Sequence, residues 1–170
     1  MADLERIEPA ALVEKHLPEV HEVWAEATDE RVGRTLPQHT EREGFRFVAV
    51  RDADGRMAGF AYGYRGAPGQ WWHDVVAEGL GPEGTARWLT PGHFLFAELY
   101  VRADLRRRGI GSRLHDGLLA GLDSRTAVLS TEQDNEPAVA LYVGRGWQVI
   151  LDRFRFGSQG LYRVLGRELG

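Results

Sequence analysis

Hydrophobic and polar positions follow two periods along the first third of this chain, and each period predicts a different element. Apolar residues recur at helical spacing through residues 10–27, where Pro18 is expected to kink or divide the helix because proline has no N–H to donate. The preceding segment LERIEP predicts a short strand that ends at Pro9, and a second short helix is predicted near residues 36–42. The chain is therefore expected to begin with a strand and a broken helix.

A hairpin is predicted next. The segment FRFVAVRD alternates in the way that a strand requires, DADG is a turn sequence, and RMAGFAYGYR predicts the returning strand. Residues 66–92 are rich in loop-forming residues, and only QWWHDVVAEGL within them predicts a short helix. We therefore expect an irregular segment between this hairpin and the strand that follows.

The strongest strand signal is HFLFAELYV. Phe94, Phe96, Glu98 and Tyr100 share one face, and the opposite face is apolar, so this should be a central strand that carries one acid. A helix is predicted from Ser112 to about Leu122.

The last third predicts a strand, a helix and a hairpin. TAVLS predicts the strand, and Asn135 is a good N-cap for a helix that ends near Gly146. WQVILDRFRF and GLYRVLGREL then predict a closing antiparallel pair. The whole order indicates an α/β (α+β) chain with a mixed sheet and helices on both faces.

Composition limits the function. A length of 170 residues predicts one domain, residues 1–170, and the 43% hydrophobic and 27% charged fractions are those of a globular protein. A net charge of −4 argues against general nucleic-acid binding. The absence of cysteine excludes thiolate chemistry, and the N-terminal segment MADLERIEPAALVEK contains no apolar run, so we expect no membrane anchor and a cytoplasmic location.

Three arginines and two glycines stand between the central strand and its helix. Arg106, Arg107 and Arg108 supply charge, and Gly109 and Gly111 let the backbone approach a ligand at a helix N-terminus, whose N–H groups favour anions. A phosphate or pyrophosphate group is the ligand that such a segment suits best. A P-loop is excluded because no Gly-Lys-Ser/Thr occurs, the third glycine of a dinucleotide fingerprint is missing, and the histidines show no metal spacing.

The longer pattern carries a family resemblance. Arg106-x-x-Gly109-x-Gly111 after an apolar strand, followed by the Asn135 helix and ALYVGRGW, resembles the GNAT superfamily of acyl-CoA-dependent N-acetyltransferases. The close resemblance covers about Phe94–Trp147, and Trp147 stands where the family usually has Phe. It implies a mostly antiparallel sheet of six to seven strands, splayed between the fourth and fifth, and acetyl-CoA as cosubstrate with no metal.

The resemblance also implies residue roles. Backbone groups of Leu99, Tyr100 and Val101 would pair with the pantetheine arm, amides of the arginine–glycine segment would hold the pyrophosphate, Asn135 would contact the cofactor, and Tyr142 would protonate the leaving thiolate. The implied cofactor-binding set is Leu99, Tyr100, Val101, Arg106, Arg107, Arg108, Gly109, Ile110, Gly111, Ser112 and Asn135.

On the acceptor side, some relatives carry an acid five positions before the asparagine, but Ser130 stands there and cannot act as a base unaided. Glu98 is the better candidate for the base or for contact with the substrate ammonium, because its apolar neighbours should raise the pKa of its carboxyl by desolvation. Trp71, Trp72, His73 and Asp74 are candidates for an aromatic acceptor wall with polar groups, and the two tryptophans are the candidates for contact with the substrate.

Each candidate also has a purely structural interpretation. The three arginines could simply form a solvated turn, and Asn135 could be a plain N-cap. Tyr142 and the tryptophans could pack in the core, and Glu98 could form an ion pair with an arginine.

The expected function is direct transfer of an acetyl group from acetyl-CoA to a primary amine of a small molecule or peptide, within a ternary complex. No nucleic acid or membrane partner is expected, and the resemblance allows a homodimer. Two alternatives stay open: a non-catalytic acyl-CoA-binding or sensing module of the same fold, and an unrelated phosphate-binding protein that uses the arginine loop alone.

Overall fold

The computed structural model describes residues 3–26 and 31–170, with side chains from residue 35 onward in the second range. Seven strands and six α-helices follow one another along these residues. The strands are β1 (Leu4–Arg6), β2 (Arg46–Arg51), β3 (Met57–Arg65), β4 (Phe94–Val101), β5 (Thr126–Glu132), β6 (Gln148–Arg155) and β7 (Leu161–Glu168). The helices are α1 (Pro9–Ala11), α2 (Leu17–Ala25), α3 (Arg31–His39), α4 (Trp71–Trp88), α5 (Ile110–Leu119) and α6 (Glu136–Gly144).

The strands form one mixed sheet in the order β1-β2-β3-β4-β5-β7-β6. β4 and β5 run parallel, paired at Phe94–Ala127 and Leu95–Val128, at the beginning of both strands. Within the described ladders no pair joins their later residues, as expected of strands that splay apart. The pairs β1–β2, β2–β3, β5–β7 and β6–β7 are antiparallel. The predicted fold class is confirmed, with seven strands.

The chain divides into two compact units. The first unit comprises Met1–Tyr64 and Ala97–Gly121, and the second comprises Arg65–Phe96 and Leu122–Gly170. β4 contributes its first three residues to the second unit and the rest to the first. The expectation of one domain over residues 1–170 stays a prediction.

The first unit has an aromatic core on the predicted hairpin. Phe47 of β2 stacks on Phe60 of β3 with ring centroids 5.4 Å apart, and both side chains are buried. α5 packs against β1 and β2 through its buried face, Leu114 and Leu118. The side chain of Arg46 donates to the carbonyl oxygen of Leu118 at 2.8 Å and so caps the C-terminal turn of α5.

The predicted division of the first helix is confirmed, and a whole helical segment of another type, not a single kink, divides it. A π-helical segment, Leu12–His16, separates α1 from α2, and Pro18 lies in the first turn of α2. Proline is accommodated there because the first N–H groups of a helix have no intrahelical partner. Of the predicted helix, residue 27 lies outside the described residues.

In the second unit, the short helix predicted in QWWHDVVAEGL is confirmed as the first part of α4, but the expectation that the rest of residues 66–92 is loop-rich was wrong. α4 extends to Trp88, with one interruption at Gly81, whose φ of 74° and ψ of 179° are not helical. Pro82 follows this break as the first residue of the second helical segment, where proline is favoured. The ring of Trp88 packs against Gly166 of β7, where a Cβ would lie 2.5 Å from the ring.

Three other boundaries differ from the predictions. α3 ends at His39, before the predicted limit of residue 42; α5 begins at Ile110 and ends before Leu122; and α6 ends at Gly144. No helix within the described residues is long and apolar enough to cross a membrane.

Candidate active site

The turn between β4 and α5 has an unusual backbone path. A 3₁₀ turn, Ala103–Leu105, follows β4, and two residues then adopt positive φ, Arg107 at 63° and Gly109 at 78°. A positive φ costs any residue except glycine about 1–2 kcal/mol. The chain accepts this cost at Arg107 to turn the backbone into α5, with Gly109 as the N-cap.

The three predicted arginines are exposed, and no carboxylate in the described ranges pairs with them. Arg106 turns back, and its Nε donates to the carbonyl oxygen of Val101 at 3.2 Å. That carbonyl is therefore already engaged in this structure, which competes with its implied role toward pantetheine. The other two guanidinium groups face solvent.

Beside them lie the first amides of α5, which have no acceptor within the helix. The N–H of Arg113 donates to the carbonyl oxygen of Gly109, so the earlier amides of Ile110, Gly111 and Ser112 precede the first intrahelical bond. A Cβ built on Gly109 would meet no atom within 4 Å. As far as the described residues go, the loop thus combines helix N-terminal amides, open space at Gly109 and cations without a carboxylate partner, which suits an anion such as pyrophosphate.

A fourth arginine, missed by the sequence analysis, anchors this loop. Arg102 is only 6% exposed, and its Nε donates to the carbonyl oxygen of Met57 at 2.7 Å. Its guanidinium pairs with Glu22 at 3.2 Å and with Glu26 at 3.6 Å. The carboxylate of Glu26 also accepts from the N–H of Ala103 at 2.7 Å. Two acids of α2 and its C-cap therefore fix the start of the loop.

The second half of β4 is unusually accessible for a central strand. Phe94, Leu95 and Phe96 are buried, whereas the residues from Ala97 to Val101 are half-exposed. Gly59 of β3 lies against this segment, since a Cβ there would approach the carbonyl oxygen of Tyr100 to 2.7 Å. Leu99, Tyr100 and Val101 are therefore placed on an open stretch of strand, as a backbone-binding role requires.

Glu98 faces two buried tyrosines that were not predicted as site residues. The N–H of Arg102 donates to the carbonyl oxygen of Ala58, and this antiparallel register sets Tyr62 opposite Glu98. Burial raises the pKa of Tyr62 well above its ordinary value, and the Glu98 charge adds to this. Burial also raises the pKa of Tyr64, where Arg42 opposes the effect and Glu98 reinforces it. Both phenols therefore stay protonated near neutral pH.

The hydroxyls of these tyrosines are held by the last residue of α3 and by the segment that follows it. The Nδ1 of His39 lies 3.0 Å from the Tyr62 hydroxyl, and Arg42 donates to the Tyr64 hydroxyl at 2.7 Å. Burial, together with the charge of Arg42, lowers the pKa of His39 to about 4, so its imidazole is neutral. The alternation FAYGYR places both tyrosines on one face and could have revealed them.

In the second unit, Tyr142 lies in an aromatic triad. Its ring meets Phe96 edge-on at 5.7 Å and Trp147 at 5.8 Å, and only 7% of the residue is exposed. This packing fixes the ring, and it also agrees with the interpretation of Tyr142 as a core residue. The structure leaves its catalytic role a prediction.

Asn135 is an N-cap, as predicted. Its Oδ1 accepts from the N–H of Ala138 at 3.3 Å, and the residue is exposed. The cap uses the carbonyl end of the side chain, which leaves the amide NH₂ for another partner.

The two tryptophans have different environments. Trp71 is 56% exposed and Trp72 is half-buried; both rings pack on Phe156, at 5.8 and 6.2 Å. The indole N–H of Trp72 donates to the Ser130 hydroxyl at 3.0 Å. Ser130, at the position where some relatives have an acid, therefore fixes an aromatic side chain.

His73 does not belong to this exposed wall, contrary to expectation. It is 7% exposed, packs on His93 at 5.4 Å and lies 3.1 Å from Asp74 through Nδ1. Asp74 also accepts from the N–H of Gly69. No group of three or more potential metal ligands occurs among the residues that the structure describes.

The predicted residues thus separate into two sets. The first unit brings together Glu98, the open strand and the arginine–glycine loop. The second unit contains Tyr142, Asn135, Trp71 and Trp72.

A family profile and a sequence relative, both of acetyltransferases, match this chain. The acetyltransferase (GNAT) family profile matches residues 9–147. A GCN5-like protein acetyltransferase of Mycobacterium tuberculosis is 38% identical over 121 residues, which are 66% of this chain and 59% of that protein. The match therefore spans less than two thirds of the relative's length.

Solved structures share the fold. The ribosomal-protein-S18-alanine N-acetyltransferase from Escherichia coli has a TM-score of 0.72 at 16% identity, covering 100% of this chain and 95% of that one. A GNAT superfamily phosphinothricin acetyltransferase from Sinorhizobium meliloti, in complex with AcCoA, has a TM-score of 0.68 at 16% identity, covering 99% and 89%. Identity this low supports the fold alone. Because the family profile covers most of its length, this chain belongs to the acetyltransferase (GNAT) family.

Proposed function

We propose that this chain transfers an acetyl group from acetyl-CoA directly to a primary amine within a ternary complex. The observation that carries the proposal is the loop before α5, where free helix amides and Gly109 lie beside three arginines without carboxylate partners among the described residues. Such a loop suits a pyrophosphate ester. Membership of the GNAT family supports acetyl-CoA as the particular ligand.

The first unit has the chemistry to hold this cosubstrate. Ile110, Gly111 and Ser112 offer amide donors, and Arg106, Arg107 and Arg108 offer charge to a pyrophosphate. The open strand from Leu99 to Val101 offers backbone groups to a pantetheine amide chain. Asn135 belongs to the second unit, and its NH₂ is proposed as a further donor on the ground of the family resemblance.

Two side chains are proposed for the chemistry. When bound, acetyl-CoA supplies the thioester carbonyl that an amine can attack. Glu98 accepts the proton that the acceptor ammonium must lose, and the Tyr142 hydroxyl holds a proton for the leaving thiolate. Most of the rate enhancement comes from the positioning of the two reactants. With no cysteine in the chain, a cysteine-bound acetyl intermediate is excluded, whereas serine or histidine intermediates stay open.

Trp71 and Trp72 are proposed to contact the acceptor. Support comes from the exposure of Trp71 and from the fixed orientation of Trp72 on Ser130. We also propose a cytoplasmic location, where acetyl-CoA and amines are both available.

A free-thiol assay tests the proposal. Because the chain has no cysteine, a thiol reagent reports released CoA without any protein background. We expect release that depends on an added primary amine. Acetyl-CoA binding without release on a broad amine panel would contradict the enzyme and favour the acyl-CoA-sensing alternative.

Tyr142→Phe tests the acid. Loss of the hydroxyl should lower kcat about 100-fold and leave the acetyl-CoA Kd within about twofold, because the ring remains in its aromatic triad. Tyr162→Phe, a tyrosine with no proposed role, is the matched control. Unchanged turnover in Tyr142→Phe would remove this residue from the mechanism.

A further inference from the structure

Arg42 is a cation that an aromatic ring and a hydroxyl hold in place. Its Nη1 donates to the Tyr64 hydroxyl at 2.7 Å, and its guanidinium carbon lies 4.7 Å from the centre of the same ring. It is half-buried, and no carboxylate in the described ranges forms an ion pair with it. A guanidinium has five N–H donors, and a tyrosine hydroxyl satisfies only one of them.

The surroundings of Arg42 hold it in place without neutralising it. His39 packs on Tyr64 with ring centroids 4.8 Å apart and contacts the Tyr62 hydroxyl through Nδ1. Its imidazole is neutral, so it neither cancels nor doubles the charge of Arg42. A half-buried cation in this setting gains most from an added carboxylate, which a guanidinium can bind through two parallel hydrogen bonds.

Glu98, the carboxylate proposed as the base, lies within electrostatic reach of Tyr64 as well. Glu98 is across from Tyr62 in the antiparallel register, and its charge acts on both Tyr62 and Tyr64. Tyr64 thus has a fixed cation at its hydroxyl end and an anion within electrostatic reach. A ligand with an amine and a carboxylate would complement the two charges together.

We propose that the acceptor is an amino acid or a related amine that carries a carboxylate, and that Arg42 binds this carboxylate while Glu98 faces the amine. The assignment rests on the proposed acetyl transfer and adds the acceptor class. Arg42 is then a specificity-determining residue, and the Tyr64 hydroxyl and His39 are positioning groups.

The test compares matched acceptors in the thiol assay. Alanine, β-alanine and γ-aminobutyrate vary the distance between amine and carboxylate, and each is paired with its carboxamide and its decarboxylated amine. The wild type should have a kcat/KM for one of the amino acids that is roughly 10- to 100-fold above that for its two partners without a carboxylate, the usual value of a hydrogen-bonded charge. Arg42→Gln should lower kcat/KM for that amino acid at least tenfold more than for the partners.

Two controls separate the outcomes. Arg56→Gln removes an exposed arginine of the same unit and should leave the acceptor preference unchanged. Arg42→Lys keeps the charge without the forked donors and should recover part of the preference.

If amines without a carboxylate are used as well as, or better than, the amino acids, this proposal is overturned and acetyl transfer is left intact. A carboxylate preference that survives in Arg42→Gln would also overturn it. If no amine is acetylated while acetyl-CoA still binds, the proposed function fails first, and the acceptor class fails with it.

Discussion

Within seven residues, the chain uses arginine in two opposite ways. Arg102 is buried, paired with Glu22 and Glu26, and bonded to the backbone of β3. Arg106, Arg107 and Arg108 are exposed and have no carboxylate partner in the described ranges. The same side chain is therefore an internal brace at one position and a candidate anion ligand a few residues later. Partners and burial distinguish the two roles, since the charge itself does not.

The largest effect on stability is expected from the substitution of the buried Arg102. Arg102→Met keeps much of the packed stem and removes the guanidinium, which leaves the Met57 carbonyl unpaired and the acids unneutralised. The free energy of unfolding should fall by about 2–4 kcal/mol, measured by urea denaturation. Arg56→Gln is the matched control, because Arg56 meets the same Glu22 at 4.0 Å but is 61% exposed. Arg56→Gln should lower the free energy of unfolding by less than about 0.5 kcal/mol. Equal losses of unfolding free energy in the two variants would contradict the distinction between a buried, paired arginine and an exposed one.

The N-cap of α5, directly after the exposed arginines, should be next in sensitivity. Gly109→Ala forces a side chain into positive φ and should cost about 1–2 kcal/mol, although open space surrounds the new Cβ. Gly144→Ala also adds a Cβ in open space, at a helical position without positive φ. It should be neutral or stabilise by up to about 1 kcal/mol. Thermal unfolding of both variants checks this, and a harmless Gly109→Ala would show that the loop relaxes.

A smaller effect extends the comparison to a histidine. Arg102 is buried beside two acids, whereas His39 is half-buried beside the cation Arg42 and is neutral, with its pKa lowered to about 4. Its contribution to stability is complete above its unfolded pKa of about 6.5 and is lost as the pH falls toward 4.

Partial exposure reduces this contribution to about 1–2 kcal/mol. His39→Gln should flatten the decline in unfolding free energy between pH 7 and pH 5 by that amount. A residual slope is expected, because burial also lowers the pKa of His93. An unchanged slope in the variant would show that His39 does not titrate as proposed.

Local patterns predicted the region from β4 to α6 well. Alternation defined β4, and the spacing of Gly109 and Gly111 marked the start of α5 to within two residues. The second half of α4 was missed because Gly81 and Pro82 suggest an end, whereas here they interrupt a helix that continues.

Contacts between distant residues set the limit of prediction in the site. Arg102 lies 80 residues from Glu22, and Trp72 lies 58 residues from the Ser130 hydroxyl that fixes it. No local periodicity encodes such pairs. The two tyrosines beside Glu98 could have been predicted, because their alternation in β3 is visible in the sequence. The contacts of His39 and Arg42 with them could be found only from the fold.

Titration calorimetry of acetyl-CoA against the wild type and the triple variant R106Q/R107Q/R108Q tests the central claim most directly. Acetyl-pantetheine, which lacks the pyrophosphate, is the matched ligand. We expect the triple variant to bind acetyl-CoA roughly 10- to 100-fold more weakly, to lose no affinity for acetyl-pantetheine and to unfold at an unchanged temperature. Equal acetyl-CoA affinity in both proteins would contradict the assignment of this loop to the pyrophosphate.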